Sequence, residues 1–299
     1  MRYVSLFLIS FFTITAFAQP QQKNEHILVD GISRQFVTYI PSIISSAKLP
    51  IIISLHGRLG TGRGQMGFAD FRALAQKDKF IIVCPSGINR SWNDGRPTPA
   101  QEKGINDVKF IDHLITYIIN TYNGDSTRVY LTGMSNGGFM SSRLACELNY
   151  RIAAIAVVGA SMAEYVSYHP TKAMPVMYIQ GTKDPLVPFE GGEIKSSAGG
   201  AVYGHEAILK LWAAIDRCSS TPVTTNIPDN ANDGTSIVRE EYSNPKTGVK
   251  VIGYTITNGG HTWPDGSQYL PKFLVGTVSH NMNACEVIWN FFKGYKLVD

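Results

Sequence analysis

Five short apolar runs punctuate the first two thirds of this chain: 50–55 (PIIISL), 80–84 (FIIVC), 129–132 (VYLT), 153–158 (AAIAVV) and 175–180 (PVMYIQ). Each is too short for a helix, and most are rich in β-branched residues. A strand that is apolar on both sides has both faces covered, which is the situation of a parallel sheet flanked by helices. The segments between them carry the helical period. Over 108–122, Val108, Ile111, Leu114, Ile115, Ile118, Ile119 and Tyr122 fall on one face. Residues 205–216 and 282–294 read as further helices. Buried strands alternating with amphipathic helices predict an α/β fold with a mostly parallel central sheet and helices on both faces.

The remaining pattern is peripheral. Strands at 26–29 and 34–40 flank Asp30-Gly31, a hairpin turn signal. Another strand is expected at 249–257. The Gly/Ser-rich stretch 190–204 reads as a loop. No linker composition or internal repeat divides the 299 residues, so one domain is expected over 19–299. With 44% apolar and 17% charged residues the chain is globular, not disordered. A net charge of +4 without a Lys/Arg cluster gives no reason to expect nucleic acid as a partner.

Residues 1–18 read as a signal peptide. Arg2 is followed by an apolar run from Val4 to Phe12, and Ala16-Phe17-Ala18 has the form of a cleavage site. An exported protein, extracellular or periplasmic, is expected, with no membrane-spanning segment after cleavage. Export permits disulfides, but Cys84, Cys146, Cys218 and Cys285 allow three full pairings and sequence does not choose among them. The oligomeric state is likewise open.

Chemistry enters at Gly133-Met134-Ser135-Asn136-Gly137, a G-x-S-x-G motif directly after the strand VYLT and before a helix-forming segment. A sharp strand-to-helix turn lifts a serine hydroxyl clear of the sheet, and its glycines leave room for the cramped backbone. The order nucleophile, acid, histidine then has to follow. Asp184 lies just after the strand PVMYIQ, and His261 just after the strand 249–257, so all three fall at carboxyl ends of strands. Asp229, Asp233 and Asp265 are rival acids, but none directly ends a buried run. The backbone N–H groups of Asn136 and of Arg58, in the loop Leu55-His56-Gly57-Arg58, are the expected oxyanion donors. Trp92, Trp263 and His56 are expected to line the substrate pocket. No metal or cofactor is expected, since His205-Glu206 lacks the second histidine of H-E-x-x-H and no C-x-x-C pair occurs.

These residues bring a resemblance with them. LHG at 55–57, SWNDGR at 91–96, NDVKFIDHLI at 106–115, GMSNGGFMSSRLAC at 133–146, GTKDPLVPF at 181–189 and GGHTWP at 259–264 resemble the secreted α/β-hydrolase esterases that include feruloyl and acetylxylan esterases (carbohydrate esterase family one) and polyhydroxybutyrate depolymerase-type esterases. The resemblance implies an α/β-hydrolase fold, a Ser135–His261–Asp184 triad and an ester substrate, small or linked to polysaccharide. Arg58 departs from it, standing where the family often has a small residue. The implied activity is hydrolysis of feruloyl or acetyl esters of plant polysaccharide such as xylan. The alternative is a polyhydroxybutyrate depolymerase-type polyesterase, held back because no exposed apolar segment stands out as a polymer anchor. A serine peptidase and a non-catalytic binding protein are lesser alternatives.

Overall fold

A computed structural model describes residues 19–42, 47–164, 172–195 and 199–297. The expected signal peptide, 1–18, lies outside the described residues. Among the described residues the strands are β1 (Gln21–Val29), β2 (Ile32–Ile40), β3 (Leu49–Leu55), β4 (Ile81–Pro85), β5 (Gly124–Met134), β6 (Ala154–Val158), β7 (Val176–Gly181), β8 (Gly191–Glu193), β9 (Ala201–Tyr203), β10 (Val223–Ile227), β11 (Ser236–Ser243) and β12 (Lys250–Thr257). The helices are α1 (Gly62–Phe68), α2 (Arg72–Asp78), α3 (Pro99–Glu102), α4 (Asp107–Tyr122), α5 (Asn136–Glu147), α6 (His205–Ile215), α7 (Lys272–Val275) and α8 (Ala284–Phe292).

Ten strands form one sheet in the order β1-β2-β4-β3-β5-β6-β7-β12-β11-β10. The six from β4 to β12 are parallel, and the two outer strands on each side pair antiparallel. Side chains alternate across the sheet as the pleat requires. Ile51, Ile53 and Leu55 of β3 join a core with Phe110 and Leu114 of α4, Phe139 and Leu144 of α5 and Trp212 of α6. Ile52 points the other way, into a core with Met66 of α1, Ala75 of α2 and Trp289 and Phe292 of α8. The apolar runs are therefore continuous because both faces are covered.

Local chemistry sets the ends. Asp30 and Gly31 both take positive φ, 51° and 75°, the geometry of the tight turn joining β1 to β2. The Asn106 side chain caps α4 by accepting from the Lys109 N–H at 2.9 Å, and Asn123 ends it in the left-handed conformation.

Two features differ from expectation. β10 and β11 carry no strand signal in the sequence. Val223, Thr224, Thr225 and Asn226 of β10 are all exposed, and β11 carries Arg239, Glu240 and Glu241, so neither shows an apolar run. The 190–204 stretch is not wholly loop: its ends pair as the antiparallel strands β8 and β9. All four cysteines are free thiols, and Cys84, Cys146 and Cys285 are buried.

Asp216, at the end of α6, is a buried carboxylate that accepts from the Met174 N–H at 3.0 Å through one oxygen. Its other oxygen has no hydrogen-bond partner among the described residues. Burial pushes its pKa up from 3.8 to about 7. Between those values the folded chain keeps a proton that the unfolded chain has released, so this group's contribution to stability falls as pH rises through the window. Asp216→Asn is expected to flatten the decline of melting temperature between pH 5 and pH 8. An unchanged slope would show that this carboxylate does not carry it.

Candidate active site

Ser135 occupies the joint between β5 and α5 with φ 55° and ψ −126°, a strained conformation for a residue with a side chain. The surroundings enforce it. A Cβ on Gly133 would lie 2.5 Å from the Gly137 carbonyl group, and one on Gly137 would collide with the Leu55 and His56 carbonyl oxygens. Only glycine at both positions lets β5 turn this sharply beside β3. Asn136 is the first residue of α5, so its N–H has no intrahelical acceptor and points outward at the positive end of the helix. The Gly57 backbone closes in from the other side: a Cβ there would be 3.4 Å from Ser135 Cβ.

Asp184 and His261 are brought together by β7 and β12, which are parallel neighbours. The His261 Nδ1 and Asp184 Oδ2 atoms are 2.7 Å apart, and both side chains are buried. The second carboxylate oxygen of Asp184 accepts from the N–H groups of Leu186 and Val187, at 2.8 and 2.9 Å. Both oxygens of that carboxylate are thus fixed, one by a turn and one by the imidazole. The backbone of His261 is held as firmly, its N–H donating to Val275 at 2.6 Å and its carbonyl accepting from the Tyr269 hydroxyl at 3.0 Å.

The rival acids are occupied elsewhere. Asp265 faces His280 at 3.2 Å and accepts from Asn283 at 2.9 Å, Asp233 accepts from Thr235 and from the His280 N–H, and Asp229 accepts from the Asn232 N–H. Among the described residues, no group of three or more His, Cys, Asp or Glu is placed to hold a metal ion.

Gly159, which no sequence motif singles out, joins the two halves of the site. The carbonyl of the preceding Val158 accepts from the Ser135 N–H at 3.0 Å. A Cβ on Gly159 would lie 3.3 Å from His261 Nδ1, and its φ is +55°. Its one sequence cue is that it directly ends the buried run AAIAVV. Gly159→Ala is expected to lower kcat roughly tenfold by displacing the imidazole, and stability by about 1 kcal/mol through the left-handed backbone. Steady-state kinetics beside thermal melts check both numbers.

Three expected pocket residues prove to be framework. Trp92 is 0% exposed, stacked on Phe110, with its indole N–H donating to the His56 carbonyl at 2.9 Å. Trp263 is 1% exposed and packs edge-on against Phe68 and Phe71. Neither offers an open ring face to a substrate. His56 is also buried. One ring nitrogen accepts from the Gly87 N–H at 2.9 Å, and Nδ1 lies 2.7 Å from the Gly57 carbonyl, to which it donates. Burial lowers its pKa to about 4, so it is a neutral brace beneath the loop that carries Arg58.

The rim of this edge is apolar where the sequence showed no anchor. Tyr269, Leu270, Phe273 and Leu274 are exposed, Phe273 by 83%. They lie on and just before α7, the element that holds the His261 backbone.

Comparison with known proteins gives a consistent class. No family model matches the chain. It is 32% identical over 256 residues to feruloyl esterase B of Talaromyces funiculosus, covering 79% of this chain and 66% of that protein. It is 28% identical over 244 residues to feruloyl esterase B of Piromyces equi, covering 78% of this chain and 43% of that one. The chain therefore spans less than two thirds of the length of either. The acetyl xylan esterase from Aspergillus awamori superposes with a TM-score of 0.59 at 19% identity, over 81% of this chain and 94% of its own. The fold is that of the α/β-hydrolases, and these relatives in sequence are named esterases. In sequence the chain is similar to proteins named feruloyl esterase and to one named bifunctional acetylxylan esterase/xylanase, from Neocallimastix patriciarum.

Proposed function

We propose that this protein is an exported carboxylic ester hydrolase that removes feruloyl or acetyl groups from plant polysaccharide such as xylan through a Ser-His-Asp acyl-enzyme. The observation that carries the reading is the buried 2.7 Å His261–Asp184 pair, set one glycine away from the elbow that presents Ser135. His261 takes the Ser135 proton as the hydroxyl attacks the ester carbonyl, and Asp184 holds the ring and stabilises the imidazolium. The N–H groups of Asn136 and Arg58 receive the oxyanion. His261 then protonates the leaving alcohol, and water repeats the sequence on the acyl-enzyme. The feruloyl and acetyl xylan esterase names of the relatives support the choice of substrates.

The exposed apolar rim favours a second reading, a polyesterase of the polyhydroxybutyrate depolymerase type. Tyr269, Leu270, Phe273 and Leu274 form the kind of surface that adsorbs to a hydrophobic polymer. One substrate panel separates the two: methyl ferulate, acetylated xylan, feruloylated arabinoxylan, hydroxybutyrate oligomers and a polyester film. Release of ferulate or acetate from the polysaccharides ahead of film clearing is the expected result. The reverse order would move the protein to polyester. Because Trp263 is buried, Trp263→Ala is expected to depress activity on methyl ferulate and p-nitrophenyl acetate about equally. A selective loss on ferulate would restore it as a pocket wall.

A further inference from the structure

The two backbone donors of the oxyanion site belong to segments far apart in sequence, and one buried residue is bonded to both. On one side the Trp92 indole N–H donates to the His56 carbonyl at 2.9 Å, two residues before Arg58. On the other, the Trp92 backbone is clamped by the Asn136 side chain: its N–H donates to Asn136 Oδ1 at 2.8 Å, and its carbonyl accepts from Asn136 Nδ2 at 3.0 Å. Asn136 is thus held by both ends of its amide while its own N–H belongs to the open first turn of α5, directly after Ser135.

The clamp is itself locked. Asn136 Nδ2 also donates to Asp94 Oδ2 at 2.7 Å. Asp94, wholly buried, is paired with Arg96 at 2.6 Å, and the Arg96 guanidinium lies 3.7 Å over the Phe139 ring of α5. The Thr98 hydroxyl adds a third bond to the Trp92 backbone, donating to its carbonyl at 2.8 Å. An ionic and amide network this deep is costly to build for stability alone, because charges must be desolvated. What it fixes is the distance between the His56–Arg58 backbone and the start of α5.

We propose that Trp92, with Asn136, Asp94 and Arg96, acts as a spacer that sets the separation of the Asn136 and Arg58 oxyanion donors. These side chains are positioning groups that touch no substrate, and only the Asn136 N–H acts directly. The proposal rests on the reading of Asn136 and Arg58 as the oxyanion donors. Misplacing a donor by a fraction of an ångström weakens the transition state, where the charge is, far more than the bound ester.

The test uses Trp92→Phe, which removes the indole N–H and keeps a ring, and Asn136→Ala, which removes the clamp and keeps the backbone donor. Each is measured for kcat and KM on p-nitrophenyl acetate, for inhibition by a trifluoromethyl ketone that forms a tetrahedral adduct on serine, and for folding by circular dichroism. The expected result is a loss of about 10- to 100-fold in kcat with KM within about threefold, matched by an equal weakening of the ketone. Folded variants with unchanged kcat and ketone affinity would overturn the spacer, as would a rise in KM alone. Should Trp92→Phe fail to fold, Asn136→Ala decides between the same outcomes. A wild-type protein that the ketone does not inhibit would instead sink the underlying oxyanion reading.

Discussion

Ser135→Ala is expected to leave a folded protein whose kcat on any ester is lower by about four orders of magnitude or more. The expectation of intact folding has a physical basis. Ser135 sits at the N-cap of α5 yet makes no side-chain cap hydrogen bond, so alanine removes no helix contact. The unusual φ of 55° is imposed by Gly133, Gly137 and the β3 carbonyls, and alanine adopts it at much the same cost as serine. The melting temperature should therefore stay within a few degrees while the chemistry disappears. A variant that keeps a tenth of the activity would show that Ser135 is not the nucleophile. A fluorophosphonate probe gives a second check: it should label the wild-type protein at Ser135 and leave the alanine variant unlabelled.

What could be read in the sequence depended on how a feature announces itself. β3, β4, β6, β7 and the second half of β5 were visible because burial on both faces leaves a nearly continuous apolar run, broken only by buried Ser54, Thr132 and Gln180. β10 and β11 were not, because an antiparallel edge with one face in water is built from threonines and charges that look like loop. The positions of Ser135, Asp184 and His261 followed from strand ends, which sequence places well. Side-chain burial did not follow. Trp92 and Trp263 stand close in sequence to the reactive edge, and that closeness suggested pocket walls. In the fold each indole turns inward, Trp92 against Phe110 and His56, Trp263 against Phe68 and Phe71. The apolar rim escaped for the opposite reason: Tyr269, Leu270, Phe273 and Leu274 are broken by Pro271 and Lys272, and no periodicity marks them as exposed.

The proposed acid, Asp184, is the member of the constellation that sequence placed among rivals, and its replacement is the sharper experiment. Asp184→Asn is expected to cost about 10⁴-fold in kcat with little change in stability. The amide oxygen can keep accepting from the Leu186 and Val187 N–H groups, so the turn after β7 survives. The amide nitrogen then faces His261 Nδ1, placing a donor against a donor. The ring relieves this by moving its proton to Nε2, which becomes a donor toward the nucleophile and can no longer take the serine proton. Asp265→Asn, Asp233→Asn and Asp229→Asn touch no ring nitrogen of His261 and should each cost only a few-fold. Steady-state kinetics on the four variants, read beside their melting temperatures, decides the matter. If Asp265→Asn proves the most damaging, the acid has been misassigned. If Asp184→Asn loses activity only in proportion to a lost fold, the carboxylate holds the β7 turn and does not govern the imidazole.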